Sequence, residues 1–427
     1  MLSAPDRGLA DRHPLLPGLR LVFDSDALAA KARLQGLMLP DGCAPSYVRF
    51  KAGTRCLVGY GEARCGGPPL FYASAFASGS AKLVKAMKRP VAHSDRGPGR
   101  IVLGDEAVEV CVFPNDDHLH VLIPLADPVS RGGILAGLLP DGGWDGGTEA
   151  KTLAYKPERR CVIKFTSANG SVGLIKAYEE NGFDPALANA RQFCDTSESI
   201  GRQRLLGVDA RRRLIAMSWL PGRSLAEQLR VPVPAMDHVE KSGALLAGLH
   251  HPPHDGLPAW SEVAATARLI EIVGGLDVLC PDEAARARAL AQRVSESLAT
   301  DHGATVTLHG DFHPRQVLID GEAMSLIDFD EAMSGPAAVD VGTFISRLHM
   351  NAIRHEISES VASDGAEALL AGYSRTCLAP SQRSVRAFTA LALLNVVHEP
   401  FRQHRAEWPA EISAVLDRVG RVMDSAA

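Results

Sequence analysis

Residues 308 to 340 read LHGDFHPRQVLIDGEAMSLIDFDEAMSGPAAVD, which sets His309, Asp311, Gln316, Asp328 and Asp340 around two short apolar runs. The runs, Val317-Leu318-Ile319 and Leu326-Ile327, flank Asp320-Gly321, and Asp-Gly between apolar runs predicts a hairpin. A loop carrying Asp311 then leads into one strand, and a second strand returns Asp328 beside it. Two carboxylates and a side-chain amide converging in this way suit one or two magnesium ions held by oxygen ligands. Phosphoryl transfer needs such a set: a carboxylate to accept the proton of the attacking hydroxyl, and metal to neutralise the phosphates.

The stretch resembles the catalytic core of the aminoglycoside phosphotransferase/choline kinase family, distant relatives of protein kinases. His309-Gly310-Asp311, Ile327-Asp328-Phe329, Gly335-Pro336 and Asp340 match that pattern in order and spacing. Gln316 departs from it, standing where the family has Asn; it keeps the carbonyl oxygen on a side chain one methylene longer. The resemblance implies an α+β, bilobal protein kinase-like fold with a small antiparallel β lobe and a large helical lobe. It also implies ATP and Mg2+ as cofactors and a small-molecule hydroxyl as acceptor. Aminoglycosides, other antibiotics, sugars and amino alcohols are among the family's acceptors, and scarce aromatic residues disfavour choline. Asp311 takes the role of catalytic base, and Asp328 and Gln316 that of metal ligands. His309 and Asp340 brace the loop. Asp330 and Glu331 either reach metal or line the acceptor pocket, and His313 and Arg315 contact a phosphate or the acceptor. A catalytically weak pseudokinase that binds nucleotide or ligand in a regulatory role is the alternative, motivated by Gln316 and by the lack of an obvious glutamate partner for the nucleotide-binding lysine.

The elements that must position these groups are legible upstream. Tyr47-Val48-Arg49-Phe50-Lys51, a turn at Gly53, residues 55–60 and Leu70-Phe71-Tyr72-Ala73 predict strands, followed by a helix over 81–89. The unit recurs: Phe50-Lys51-Ala52-Gly53-Thr54-Arg55-Cys56 parallels Tyr155-Lys156-Pro157-Glu158-Arg159-Arg160-Cys161. Such self-similarity points to a duplicated small-lobe-like, β-rich N-terminal domain, unless two unrelated hairpins share a composition. Aligned on Arg55-Cys56 and Arg160-Cys161, Lys176 in the second unit falls opposite Ser74 in the first. Kinase-like folds hold the nucleotide's phosphates with a lysine on the third small-lobe strand, so the resemblance assigns Lys176 to nucleotide binding and leaves the first unit a non-catalytic cap or dimer surface. Arg159, in the turn that would cover the phosphates, and the hinge from Ser218 to Leu220 complete the expected nucleotide contacts. No glutamate stands at an obvious place to pair with Lys176, which leaves Glu179, Glu198 or no pair at all.

Other local signals fill in the frame. Residues 1–45 read as a loose lead-in with one helix near 26–37, residues 119–125 as a strand, and the Gly-rich 130–148 as a linker. Asp184-Pro185 reads as a helix start, and Ser224-Leu225-Ala226-Glu227 as a capping box. Helices are expected at 235–250, 261–273, 282–299, 337–350, 354–374, 382–405 and 409–424, with His250 and His251 in core or capping roles. The expected domains are 1–145, 146–221 and 222–427.

Composition narrows the functional classes. With 45 Lys+Arg against 50 Asp+Glu the chain has no basic excess to hold nucleic acid or an anionic membrane. Charges run through the first residues where a signal peptide would be apolar, and the eight cysteines form no Cys-x-x-Cys pair. A cytoplasmic enzyme is expected.

Overall fold

The computed structural model describes residues 2–425 other than 64–66, 87, 90, 95, 140–142, 195–200, 235, 254–255 and 299–302. The chain divides into two compact units. One is Met1–Leu187 with Arg204–Trp219 and Pro400–Trp408; the other is Ala188–Gln203 with Leu220–Glu399 and Pro409–Ala427.

In the first unit the lead-in is ordered, not loose. Helix α1 (Ala4–Arg12) is capped by Ser3, whose hydroxyl accepts from the Asp6 amide, and α2 (Ser25–Leu34) by Asp24. Leu9, Leu16, Leu19, Val22 and Leu28 are buried. Asp6, also buried, accepts from Trp408 Nε1 at 3.3 Å and lies 3.1 Å from His404 Nε2. Those partners are some 400 residues away in sequence, beyond the reach of a local reading.

Two five-stranded antiparallel sheets follow. The first comprises β1 (Cys43–Lys51), β2 (Arg55–Glu62), β3 (Phe71–Phe76), β4 (Arg100–Leu103) and β5 (Val108–Val112), in the order β1-β2-β3-β5-β4. Helices α3 (Leu122–Ala126) and α4 (Pro128–Leu138) replace the strand and linker expected there. Asp127 caps α4, Pro128 opens it, and Leu122, Leu125, Leu135 and Leu138 give the pair one apolar face.

The second sheet comprises β6 (Glu149–Lys156), β7 (Arg160–Thr166), β8 (Val172–Tyr178), β9 (Leu205–Asp209) and β10 (Leu214–Ser218), in the order β6-β7-β8-β10-β9. Ile163, Phe165, Ile175, Ala177, Leu214 and Ala216 pack with the leucines of α3 and α4. Because side chains alternate along a strand, Lys176 points to the opposite face. Helix α5 (Glu180–Cys194) starts earlier than Asp184-Pro185 suggested, and Pro185 lies inside it.

The second unit is helical around a small strand core. Its helices are α6 (Met236–Leu249), α7 (Glu262–Leu279), α8 (Pro281–Leu298), α9 (Ala338–Ile353), α10 (Glu359–Ser374), α11 (Gln382–Asn395) and α12 (Trp408–Asp424). Strand β11 (Thr305–Leu308) pairs with β14 (Met333–Pro336), and β12 (Val317–Asp320) with β13 (Ala323–Leu326). Phe312, Phe344, Leu348, Leu246 and Leu369 anchor the core, and each such side chain contributes roughly 1.5–3 kcal/mol by its burial. No helix among the described residues is long and apolar enough to cross a membrane.

Candidate active site

The segment 309–316 is a loop fixed at both ends. Strand β12 pairs with β13 through the expected Asp320-Gly321 turn, in the register Val317 to Leu326, and the Ile327 amide donates to the Gln316 carbonyl at 3.0 Å. At the other end Asp340, fully buried on α9, accepts from the amides of His309 (2.7 Å) and Gly310 (2.9 Å). His250 Nε2 lies 3.1 Å from the same carboxylate, so this histidine, just past the end of α6, is a core residue, one of the two roles expected for it. His309 Nε2 reaches the Ile327 carbonyl at 3.0 Å, tying the loop to the residue before Asp328.

Gly310 is required twice over. It adopts φ +81°, and a Cβ there would stand 1.9 Å from the Glu331 carbonyl oxygen. Asp328 also takes the left-handed region, at φ 66° and ψ 60°, where Asp is among the better tolerated residues. Asn189 on α5, which the sequence did not single out, donates to the carbonyls of Asp330 (3.0 Å) and Ala332 (3.2 Å) and holds the segment after Asp328.

Asp311 is half-buried, with His313 Nε2 at 3.5 Å from its carboxylate. Burial alone would raise its pKa, but the hydrogen bond and charge of His313, with Arg347 and His309, outweigh it and hold the carboxyl below its usual value. It is therefore ionised at neutral pH, as a proton acceptor must be. Gln316 is buried, and its side-chain amide makes no hydrogen bond among the described residues. The Ile327 amide bond to the Gln316 carbonyl sets the residue before Asp328 against Gln316, and a carboxylate and an amide oxygen are the kind of hard donors that magnesium takes.

The remaining expected contacts divide between the units. Leu220 belongs with Asp311, Gln316 and Asp328 in the second unit; Lys176, Arg159 and Ser218 belong to the first. Lys176 is buried on β8, between Val162 of β7 and Ile215 of β10. Arg159 is exposed, with Glu179 at 3.9 Å. Glu179 thus faces Arg159, and Glu198 lies outside the described residues. The Ser218 amide donates to the Arg204 carbonyl at 2.9 Å, so any adenine contact falls to the backbone groups after it. Trp219 packs under Lys164 Nζ at 4.2 Å.

The turn joining β6 to β7 is bound into the protein rather than solvated. Glu158 has φ 63°, is 4% exposed and forms ion pairs with Arg49 and Arg55. Its amide donates to Asp116 Oδ2 at 2.8 Å, and the Arg159 amide to the Lys156 carbonyl at 2.9 Å. Asp116 also accepts from Tyr155 Oη (2.7 Å) and the amides of His118 and Leu119. Burial would raise the Glu158 pKa; the two guanidiniums, Arg55 foremost, reverse this and lower it. Sequence reasoning missed the cluster because its partners lie about 40 and 100 residues apart.

Residues 172–379 match the model of the phosphotransferase enzyme family, and this part of the chain belongs to that family, the one its motifs resemble. No curated protein matches the chain. Among solved structures, a thermostable mutant of aminoglycoside phosphotransferase APH(4)-Ia, in ternary complex with ADP and hygromycin B, superimposes with a TM-score of 0.51 at 12% identity. The match covers 70% of this chain and all (100%) of that one. Choline kinase from Cryptosporidium parvum Iowa II gives 0.49 at 11% identity, over 68% and 94% of the two chains. Spectinomycin phosphotransferase APH(9)-Ia, in complex with ADP and spectinomycin, gives 0.47 at 12%, over 69% and 96%. The first of these superpositions shows the fold, which has mixed helices and antiparallel sheets as in that phosphotransferase.

Proposed function

We propose that the chain is an ATP-dependent kinase that transfers the γ-phosphate to a hydroxyl of a small molecule. The observation that carries the proposal is Asp311, ionised and held in a loop whose two preceding amides are pinned by the buried Asp340. Asp311 orients the acceptor hydroxyl and takes its proton as the oxygen attacks. Lys176 neutralises phosphate charge, and the backbone after Ser218 meets the adenine. Asp328 and Gln316 would hold magnesium, which when bound shields the β- and γ-phosphates. His309 and Asp340 work by position, keeping Asp311 in place.

We further read residues 1–145 as a degenerate copy of the small lobe in 146–221, acting as a cap or dimer surface before the helical lobe of 222–427. The shared strand order of the two sheets supports this reading. The seven described cysteines are free thiols, which fits a reducing cytoplasm. The pseudokinase alternative has one observation in its favour: the Glu158 and Arg159 amides are already committed and do not offer a phosphate cradle.

Magnesium-dependent ATP turnover, with and without hydroxyl acceptors, separates the two. Asp311→Asn is expected to lower acceptor-dependent turnover by at least about 10²-fold with the fold intact, since proton transfer and positioning contribute that much. Turnover within a few fold of wild type would remove Asp311 from the role.

A further inference from the structure

The charged groups around Asp311 bear on the charge of its acceptor. Four arginines gather on this side of the second unit. Arg347 and Arg354 share Glu399, at 2.5 and 3.1 Å, and Arg230 pairs with Glu356. Arg347 also acts on Asp311. Arg315, four residues beyond Asp311 in the same loop, donates its backbone amide to His313 Nδ1 at 3.2 Å. Its guanidinium is exposed and makes no ion pair or hydrogen bond among the described residues. Arg230 and Arg354, with Glu356 and Glu399, are near enough to Arg315 to act on its charge. Outside the base itself, four guanidiniums thus meet two carboxylates, and the excess charge has its accessible end at Arg315. The Nε atoms of Arg347 and Arg354 are buried without a partner, so neither is fully satisfied by Glu399.

We propose that the acceptor is an anion, a hydroxyl compound whose carboxylate or phosphate is held by Arg315, with Arg230 beside it, while its hydroxyl meets Asp311. This rests on the kinase reading of Asp311. In the transfer, the acceptor oxygen forms a bond to the γ-phosphorus as the bond from that phosphorus to the β–γ bridging oxygen breaks. The hydroxyl proton passes to Asp311, and ADP leaves with the bonding pair. A planar guanidinium suits either anion, offering paired N–H donors. A cationic acceptor, such as an amino alcohol or an aminoglycoside, would meet uncompensated positive charge, which selects against it.

Calorimetry on the full chain tests the proposal with four probes of one size class: D-glycerate, glycerol 3-phosphate, glycerol and choline. One of the two anions is expected to bind more tightly than glycerol or choline, and which one does so distinguishes carboxylate from phosphate recognition. Arg315→Ala should weaken that anion by about 10- to 100-fold, the worth of one charge-assisted contact, and Arg315→Lys should recover part of it. Affinity for ATP in Arg315→Ala should move by less than about threefold, which a general structural defect would not respect. Glycerol or choline binding as tightly as either anion, neither anion binding, or anion affinity indifferent to Arg315→Ala would each overturn it. The kinase reading fails separately, if magnesium-dependent ATP turnover survives in Asp311→Asn while the anion still binds through Arg315.

Discussion

The two five-stranded sheets of the first unit share a strand order and turn their first hairpins through the same left-handed conformation. Gly53 does so at φ +64° and Glu158 at φ 63°. Register carries the parallel further: Ser74 pairs with Leu57, two residues past Arg55, and Lys176 with Val162, two past Arg160. On the other flank Ser74 faces Glu109, whereas Lys176 faces Ile215. The first sheet spends these positions on a buried cluster of charged and polar groups. Arg55 donates to Ser74 Oγ at 2.6 Å, and Arg100 reaches Glu109 at 3.4 Å and Asp117 at 2.8 Å. The second sheet keeps a buried cation against apolar neighbours. One strand order thus carries two different sets of side chains, and on the proposed reading it is the Lys176 sheet that meets a phosphate.

The largest expected effect follows from that pair of positions. Lys176→Ala should cost about 10²–10³-fold in kcat/KM for ATP, the range for removing one electrostatic contact to a transferring phosphate. Ser74→Ala should stay within about twofold, since changes away from such contacts are usually small. Equal losses in steady-state kinetics would erase the distinction.

Next in size is Glu158→Ala, which leaves Arg49 and Arg55 without their shared carboxylate. Denaturant unfolding should show a loss of about 3 kcal/mol, the lower end for breaking a buried pair, because Arg49 keeps some solvent contact. Glu158→Gly relieves the left-handed backbone but loses the same ion pairs, so it should remain less stable than wild type.

The smallest effect is a pH dependence confined to the first sheet. Burial first, then the charge of Asp117, raises the Glu109 pKa from 4.5 to about 7. Between those values the folded carboxyl keeps a proton that the unfolded one has lost. Stability therefore falls as pH rises through this window and levels off above it. Glu109→Gln should flatten the profile and raise stability at pH 8 by up to about 2 kcal/mol. A mutant profile parallel to wild type would place the ionisation elsewhere.

What the sequence made legible follows the range of the forces involved. The 309–328 loop and hairpin, the capping box at Ser224 and most helices of the second unit rest on contacts within a few residues and appear close to where periodicity put them. The single helix expected over 382–405 instead ends at Asn395, and a turn separates it from a short helix at Glu399–Arg402. The Ser74–Lys176 equivalence was also visible, because strand register follows from hairpin turns. The clamp on Glu158 was not, since Arg49, Arg55 and Asp116 meet it only after two sheets have formed. The helix over 128–138 was hidden by Gly132 and Gly133, whose low helix propensity is overridden by an apolar face and an Asp127 cap. Arg315 was seen but unranked, because its meaning depends on where Arg230, Arg347 and Arg354 converge.

The central claim is that one sheet, not both, serves the nucleotide. Calorimetric titration of the full chain with ATP and magnesium tests it most directly. The account predicts a single nucleotide per chain, with binding lost in Lys176→Ala and retained in Ser74→Ala. Two nucleotides per chain, or binding that survives loss of Lys176 and fails on loss of Ser74, would contradict it.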